Sequence, residues 1–368
     1  MYSQNDLDDA VAAGAISAEA AAALRNFTEV QRATPAVDEE QFRLLTGFND
    51  IFVSIAAVIL LVAVGWIGQW IGDSLGTAIE GDGPSFLAPA AVAAASWGLA
   101  LFFTAKRRMA LPSILLLLAF VGSVFATVGF AGALAVGDPP NNQEALYAGT
   151  IAAIAGAVAA GAAWLHWKRF RVPITVAAGA AAIAAIAVGL LIAVLGDIES
   201  YQNLVLGLVL ILGIGVFLFA MRWDSSDQAR ITRRSDVAFW LHLLAAPMIV
   251  HPVFTLLGLN DGNATIGEGF VVILLYILIG LTALAIDRRA LLVSALAYVL
   301  FALNEMFKQF GAIELNIALT ALVIGSALLL LSAFWHQARE AVVRPLPDGL
   351  RAKLPLLDRA SAASPRAA

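Results

Sequence analysis

Apolar residues fall in ten long runs separated by short polar turns, over residues 48–71, 85–105, 110–136, 145–166, 172–195, 203–221, 237–258, 269–286, 290–309 and 315–335. Each approaches the roughly 20 apolar residues that an α-helix needs to cross the hydrocarbon core of a bilayer. None shows the alternation of a transmembrane β-strand. The expected fold is all-α: a polytopic transmembrane helical bundle of about ten spans. Tryptophans near the run ends (Trp66, Trp70, Trp164, Trp167, Trp223, Trp240 and Trp335) read as interface anchors.

Polar flanks bound this membrane domain, residues 48–335. Within residues 1–47, Leu7 to Ala13 predicts a short helix stopped by Gly14, and Ser17 caps a second helix running to about Gln31. Leu7, Val11, Ile16, Leu24 and Phe27 would line the inside of this small hairpin. Beyond Pro35, Phe42, Leu45 and Phe48 mark an interfacial helix that feeds the first span. Residues 336–368 carry Pro345, Pro347, Pro355 and Pro365 among scattered cations, and read as a disordered basic tail resting on anionic lipid.

Charge orients the bundle. Turns after the even runs hold Lys106, Arg107, Arg108, Lys168, Arg169, Arg171, Arg222, Arg230, Arg233, Arg234, Arg288 and Arg289. Turns after the odd runs are acidic or neutral, with Lys308 their one cation. Lys and Arg in short loops stay cytoplasmic. The expected topology therefore has both termini inside, an even number of spans and no external domain. The recurring helix–basic turn–helix unit hints at an internal repeat, although the charge rule alone would produce it.

Of the 368 residues, 61% are hydrophobic and 13% charged, against about 45–50% and about 25% in soluble domains. The net charge of −5 offers no footing for nucleic acid. With no cysteine and four histidines, thiol chemistry is excluded and metal-ligand capacity is small, so no metal and no cofactor is expected. Phosphate-loop, dinucleotide-fold, HExxH and GxSxG patterns are absent, so no enzyme is expected.

Two constellations lie within the runs. Gly149, Ala153, Ala157 and Gly161 recur every four residues in the fourth run, as do Ala177, Ala181, Ala185 and Gly189 in the fifth. Small residues at this spacing let backbones approach, which predicts a tight hairpin. The second constellation is ionisable: His242, His251 and Glu305. Such groups are costly in hydrocarbon and are functional candidates by default. His251 lies roughly 21 Å along its run and Glu305 roughly 22 Å along its own, at 1.5 Å per residue. The two could therefore pair near Asn304 and Thr255. Nine residues separate His242 from His251, so they take opposite faces of a regular helix. Ion pairs within the turn from Arg222 to Asp236 are expected to be local and worth little at a surface.

The segment LDDAVAAGAISAEAAAALRNF, with Gly14, Ile16 and Ser17 forming a G-x-I-[ST] turn, is followed by FNDIFVSIAAVILLVAVG. Together they resemble a family of bacterial predicted membrane proteins defined as a domain of unknown function. The resemblance implies a bacterial inner-membrane location and no particular activity. Two functions fit these expectations. One is movement of protons or a small solute through the bundle, using His251, Glu305, Asn304, His242 and Thr255. The alternative is a non-enzymatic assembly or accessory role, with residues 5–31 docking a partner protein or a second copy. Expected contacts otherwise are the bilayer itself and anionic lipid at the basic inner loops and tail.

Overall fold

A computed structural model describes residues 10–24, 48–81, 83–140, 143–196, 200–228, 230, 232–259, 266–289, 291–293, 295–296, 299–300, 303 and 316–357. Residues 10–24 belong to one compact unit, and the described chain from residue 48 to Leu357 to a second.

The first unit contains the expected turn. Gly14 adopts the left-handed conformation at φ +68°. Its N–H donates to the Val11 carbonyl at 3.0 Å, and the Ala15 N–H donates to Ala10 at 2.9 Å. This pair of bonds is a Schellman stop for the first helix. Ser17 Oγ then accepts the Ala20 N–H at 3.1 Å and caps the next helix, residues 18–24. Leu7 and Phe27 lie outside the described residues.

The second unit is helical: α1 (Phe48–Ser74), α2 (Leu87–Phe103), α3 (Ala110–Val136), α4 (Glu144–Phe170), α5 (Ile174–Leu195), α6 (Gln202–Ser225), α7 (Arg233–Leu256), α8 (Ile266–Ile286), α9 (Asn316–Ala333), α10 (Trp335–Val343) and α11 (Asp348–Arg351). Among the described residues, seven helices (α1 and α3 to α8) are long and apolar enough to span a bilayer. An eighth candidate joins α9 to α10 across a 75° bend, and α2 is shorter at 17 residues. Most of the run 290–309 lies outside the described residues. The fold is that of a multi-spanning helical membrane protein, whose large exposed side chains (Phe52, Ile59, Leu218, Ile277 and Leu329 among them) would face lipid.

Several helices outrun their apolar segments. α4 continues to Phe170 and α6 to Ser225, because backbone groups at the membrane edge still need internal partners. How the helices stop depends on the side. On the acidic side, α3, α5 and α7 end at Gly137, Gly196 and Gly258, all at positive φ. On the basic side the left-handed positions are held by Arg108, Arg171, Arg230 and Asp287, and in the acidic turn after α1 Glu80 takes the same conformation beside Gly81. Side chains other than glycine take this conformation at a cost of about 1–2 kcal/mol. Charge is thus kept at positions where glycine would be easier.

Neighbours in sequence pack as antiparallel hairpins, and α4 against α5 is the most extensive pair. A Cβ added at Gly149 would lie 2.4 Å from the Ala193 nitrogen, and one at Gly189 would lie 2.7 Å from the Ala153 nitrogen. Gly156 faces the Ala182 carbonyl, and Gly179 faces Ala163. The seam therefore runs 149, 153, 156 and 163 on α4 against 193, 189, 182 and 179 on α5, in steps of three, four and seven. The expected four-residue rows do not form the contact as units. A row at spacing four precesses about 40° per step around a 3.6-residue helix. Ala157 and Gly161 have turned outward and are exposed. On α5, Ala181 and Ala185 are half-buried, while buried Ala177 packs with Ala220, Val237 and Leu241 of α6 and α7.

α6 and α7 make the second close pair. A Cβ at Gly213 would lie 2.9 Å from the Met248 carbonyl carbon and oxygen. Pro252, four residues on, has no N–H to donate to that carbonyl. The tail also differs from the disordered reading as far as Leu357. α10 and α11 are helical, and Trp335, Arg339, Val343 and Leu354 are buried. The prolines bound these short helices: Pro347 immediately precedes α11.

Candidate functional site: a buried charge cluster on the basic side

Three elements bring charge together at the basic end of the second half. α6 ends with Asp224, α7 carries His242 four turns from Thr255, and α8 runs out into Asp287 and Arg288. The exit from α8 fixes the last two. Asp287 sits at φ +56°, its N–H donating to Leu284 and that of Arg288 to Ala283, so their side chains turn back under the bundle.

Asp224, 1% exposed, is the first node. Its Oδ2 lies 3.0 Å from His242 Nε2 and accepts from Arg288 Nε at 3.2 Å, while Oδ1 accepts from Arg288 Nη2 at 2.5 Å. Arg288 Nη2 also donates to the Ser235 carbonyl at 3.0 Å. Asp287 is the second node. It accepts from Arg230 Nη1 at 3.0 Å and from Trp335 Nε1 at 2.8 Å, with Arg339 Nε at 3.8 Å. Arg230 Nη2 reaches the carbonyls of Ile286 and Asp287, and Arg339 those of Leu356 and Pro355. Asp227 orders the connecting turn by accepting the Thr232 N–H at 2.9 Å and hydroxyl at 2.6 Å.

The geometry fixes the histidine's tautomer. A carboxylate that faces a two-pronged guanidinium is an acceptor only, so His242 donates through Nε2. Its other nitrogen, Nδ1, is buried without a hydrogen-bond partner among the described residues, and Phe217 meets the ring edge-on at 5.2 Å. A buried ion pair of this kind needs good geometry on every lone pair, since desolvation otherwise exceeds the Coulomb gain. Asp224 meets that condition, and the free Nδ1 is the exception. Chemically the arrangement can hold or exchange one proton at Nδ1, and couple it through Asp224 to three separate elements.

The residues expected from sequence divide sharply. His242 is fully buried, and His251 on the same helix is exposed, as their opposite faces require. The Thr255 hydroxyl donates to the His251 carbonyl at 2.9 Å. Asn304 and Glu305 lie outside the described residues. The local ion pairs expected of the Arg222–Asp236 turn are corrected for Asp224, whose partner is 64 residues away and buried. A second buried histidine was also missed. His166 Nδ1 lies 3.2 Å from Thr175 Oγ1, with its ring among Trp97, Phe120 and Phe170. It closes the run 145–166 and reads there as a mere boundary.

Compared with known proteins, the chain matches no family model, no curated relative and no solved structure.

Proposed function

We propose that this is a bacterial inner-membrane protein of ten spans, with both termini cytoplasmic, that moves protons or a small solute through its second half. The observation that carries the reading is the buried Asp224–His242–Arg288 triad with its free imidazole nitrogen. Ionisable groups buried among membrane spans mark transport pathways more often than they add stability. Proton uptake at His242 Nδ1 would place a second cation beside Asp224 and weaken the hold of Arg288 on it. The triad would then act as a gate on the basic side. Pro247 and Pro252 favour the same helix as the moving part, because each interrupts the hydrogen-bond ladder of α7.

The test is proton flux in proteoliposomes under an imposed pH gradient. Wild type should exceed empty liposomes, and His242→Gln should lower the flux at least tenfold without changing the protein's melting temperature. His251→Ala and Glu305→Gln report on the outer pair in the same assay. Wild-type flux at the level of empty liposomes would sink the transport reading and leave the triad as a static clamp.

A further inference from the structure

A cavity of about 350 Å³ opens on the basic side between the end of α4 and the start of α7, lined by Trp167, Arg171, Trp223, Arg233, Arg234 and Val237. We infer that this cavity binds a phosphate group, carried by an anionic lipid headgroup or by a soluble phosphate ester.

Three arginines from two separate segments line it, and among the described residues no carboxylate does. Two of the three acids in the α6–α7 segment have partners elsewhere, Asp224 in Arg288 and His242 and Asp227 in Thr232, and the third, Asp236, lies in the first turn of α7. Like charges gathered around one hollow repel unless an anion joins them. Arginine is also the side chain whose planar fork matches phosphate oxygens in pairs.

Lys168, Arg107 and Arg169 do not line this cavity. Lys168 lies over Trp164 at 4.1 Å, Arg107 over Phe102 at 5.5 Å and Arg169 over Phe170 at 5.4 Å, each against a ring of its own segment. Arg171 also lies over a ring of its own segment, Trp167 at 5.6 Å, but both residues line the cavity, and Arg171 is held at φ +56° by the stop of α4. Arg233 and Arg234 open α7, so the positive end of a 24-residue helix faces the same hollow. Two indoles at this level belong to the headgroup zone, where basic pockets between spans take anionic lipid.

The inference rests on the proposed orientation only in naming the inner leaflet as the lipid source. Lipid retention and proton flux are separate readouts, and either can fail alone. The experiment is native mass spectrometry of the purified full chain in detergent. Phosphatidylglycerol and phosphatidylcholine with identical acyl chains are added in equal amounts, with and without millimolar glycerol 1-phosphate. Wild type should retain the anionic lipid at least tenfold over the zwitterionic one. Arg171→Gln/Arg233→Gln/Arg234→Gln should bring the ratio close to one, while Lys168→Gln/Arg169→Gln, with a similar change in charge, should keep it. Arg171→Gly alone relieves the left-handed backbone and should lower the ratio without lowering the melting temperature, which separates binding from folding. Displacement by glycerol 1-phosphate assigns the site to soluble esters, and its failure to displace assigns it to lipid. Equal retention of the two lipids by wild type, with no binding of glycerol 1-phosphate, overturns the inference. So does an equal loss in the Lys168/Arg169 control.

Discussion

Asp224 illustrates how a single residue changes meaning between sequence and structure. Within its turn it is one of three acids among four arginines. In the fold it is the counter-charge for Arg288 and the acceptor for His242. Asp224→Asn should therefore leave Arg288 buried without its partner, at a cost of about 3–5 kcal/mol. Arg288→Met in the same chain should restore much of that stability, because removing both charges also removes the desolvation they share. Thermal unfolding in detergent of the two single variants and the double measures the coupling. Strictly additive losses would show that the two side chains do not depend on each other. The choice between the two histidines of α7 shows where reading from sequence stops. Spacing places His242 and His251 on opposite faces but does not say which face is inward. Small buried neighbours decide it: Ala238, Ala245 and Ala246 join Leu241 on the face of His242.

At the scale of elements, the apolar runs located the helices well, because hydrocarbon thickness and helix rise leave little freedom. The contact seams were less legible. Of the four-residue rows of Gly and Ala on α4 and α5, Gly149, Ala153 and Gly189 lie on the seam, Ala157 and Gly161 turn outward, and Ala177 packs against α6 and α7. Sustained contact between antiparallel helices follows steps of three and four. Gly189→Val should destabilise the fold by about 1–3 kcal/mol or more, because the new side chain meets the α4 backbone. Gly161→Ala meets nothing within 4 Å and should instead add up to about 1 kcal/mol through helix propensity. Melting temperatures of the two variants check the seam directly. Equal destabilisation by both would place the contact on the four-residue row after all. The tail escaped its composition for a related reason. Four prolines suggested disorder, yet the anchors that order it, Trp335 and Arg339, bind a partner some fifty residues upstream at Asp287. No local pattern encodes a contact of that range.

At the scale of the whole molecule, long-range contacts constrain topology independently of the charge rule. Arg230 and Trp335 meet on Asp287, and Gln228 donates to the Ala352 carbonyl. The α6–α7 turn, the end of α8 and the segment from α10 onward therefore share one side. A chain that leaves that side after Arg289 and returns to it by Trp335 crosses the membrane an even number of times between them. In the proposed ten-span topology α9 and the apolar run 290–309 are these two crossings, and α1 to α8 are the other eight. The absence of native cysteine makes this directly measurable, since any thiol signal comes from the residue introduced. Asp138→Cys, in the turn after α3, should react with a membrane-impermeant maleimide in intact cells. Ser226→Cys and Asp348→Cys, both exposed, should react only after the membrane is opened. Labelling of Ser226→Cys and Asp348→Cys from opposite sides would break the even-crossing argument. Labelling of both from outside would keep the ten spans and invert the orientation, and would turn the arginine-lined cavity toward the outer leaflet.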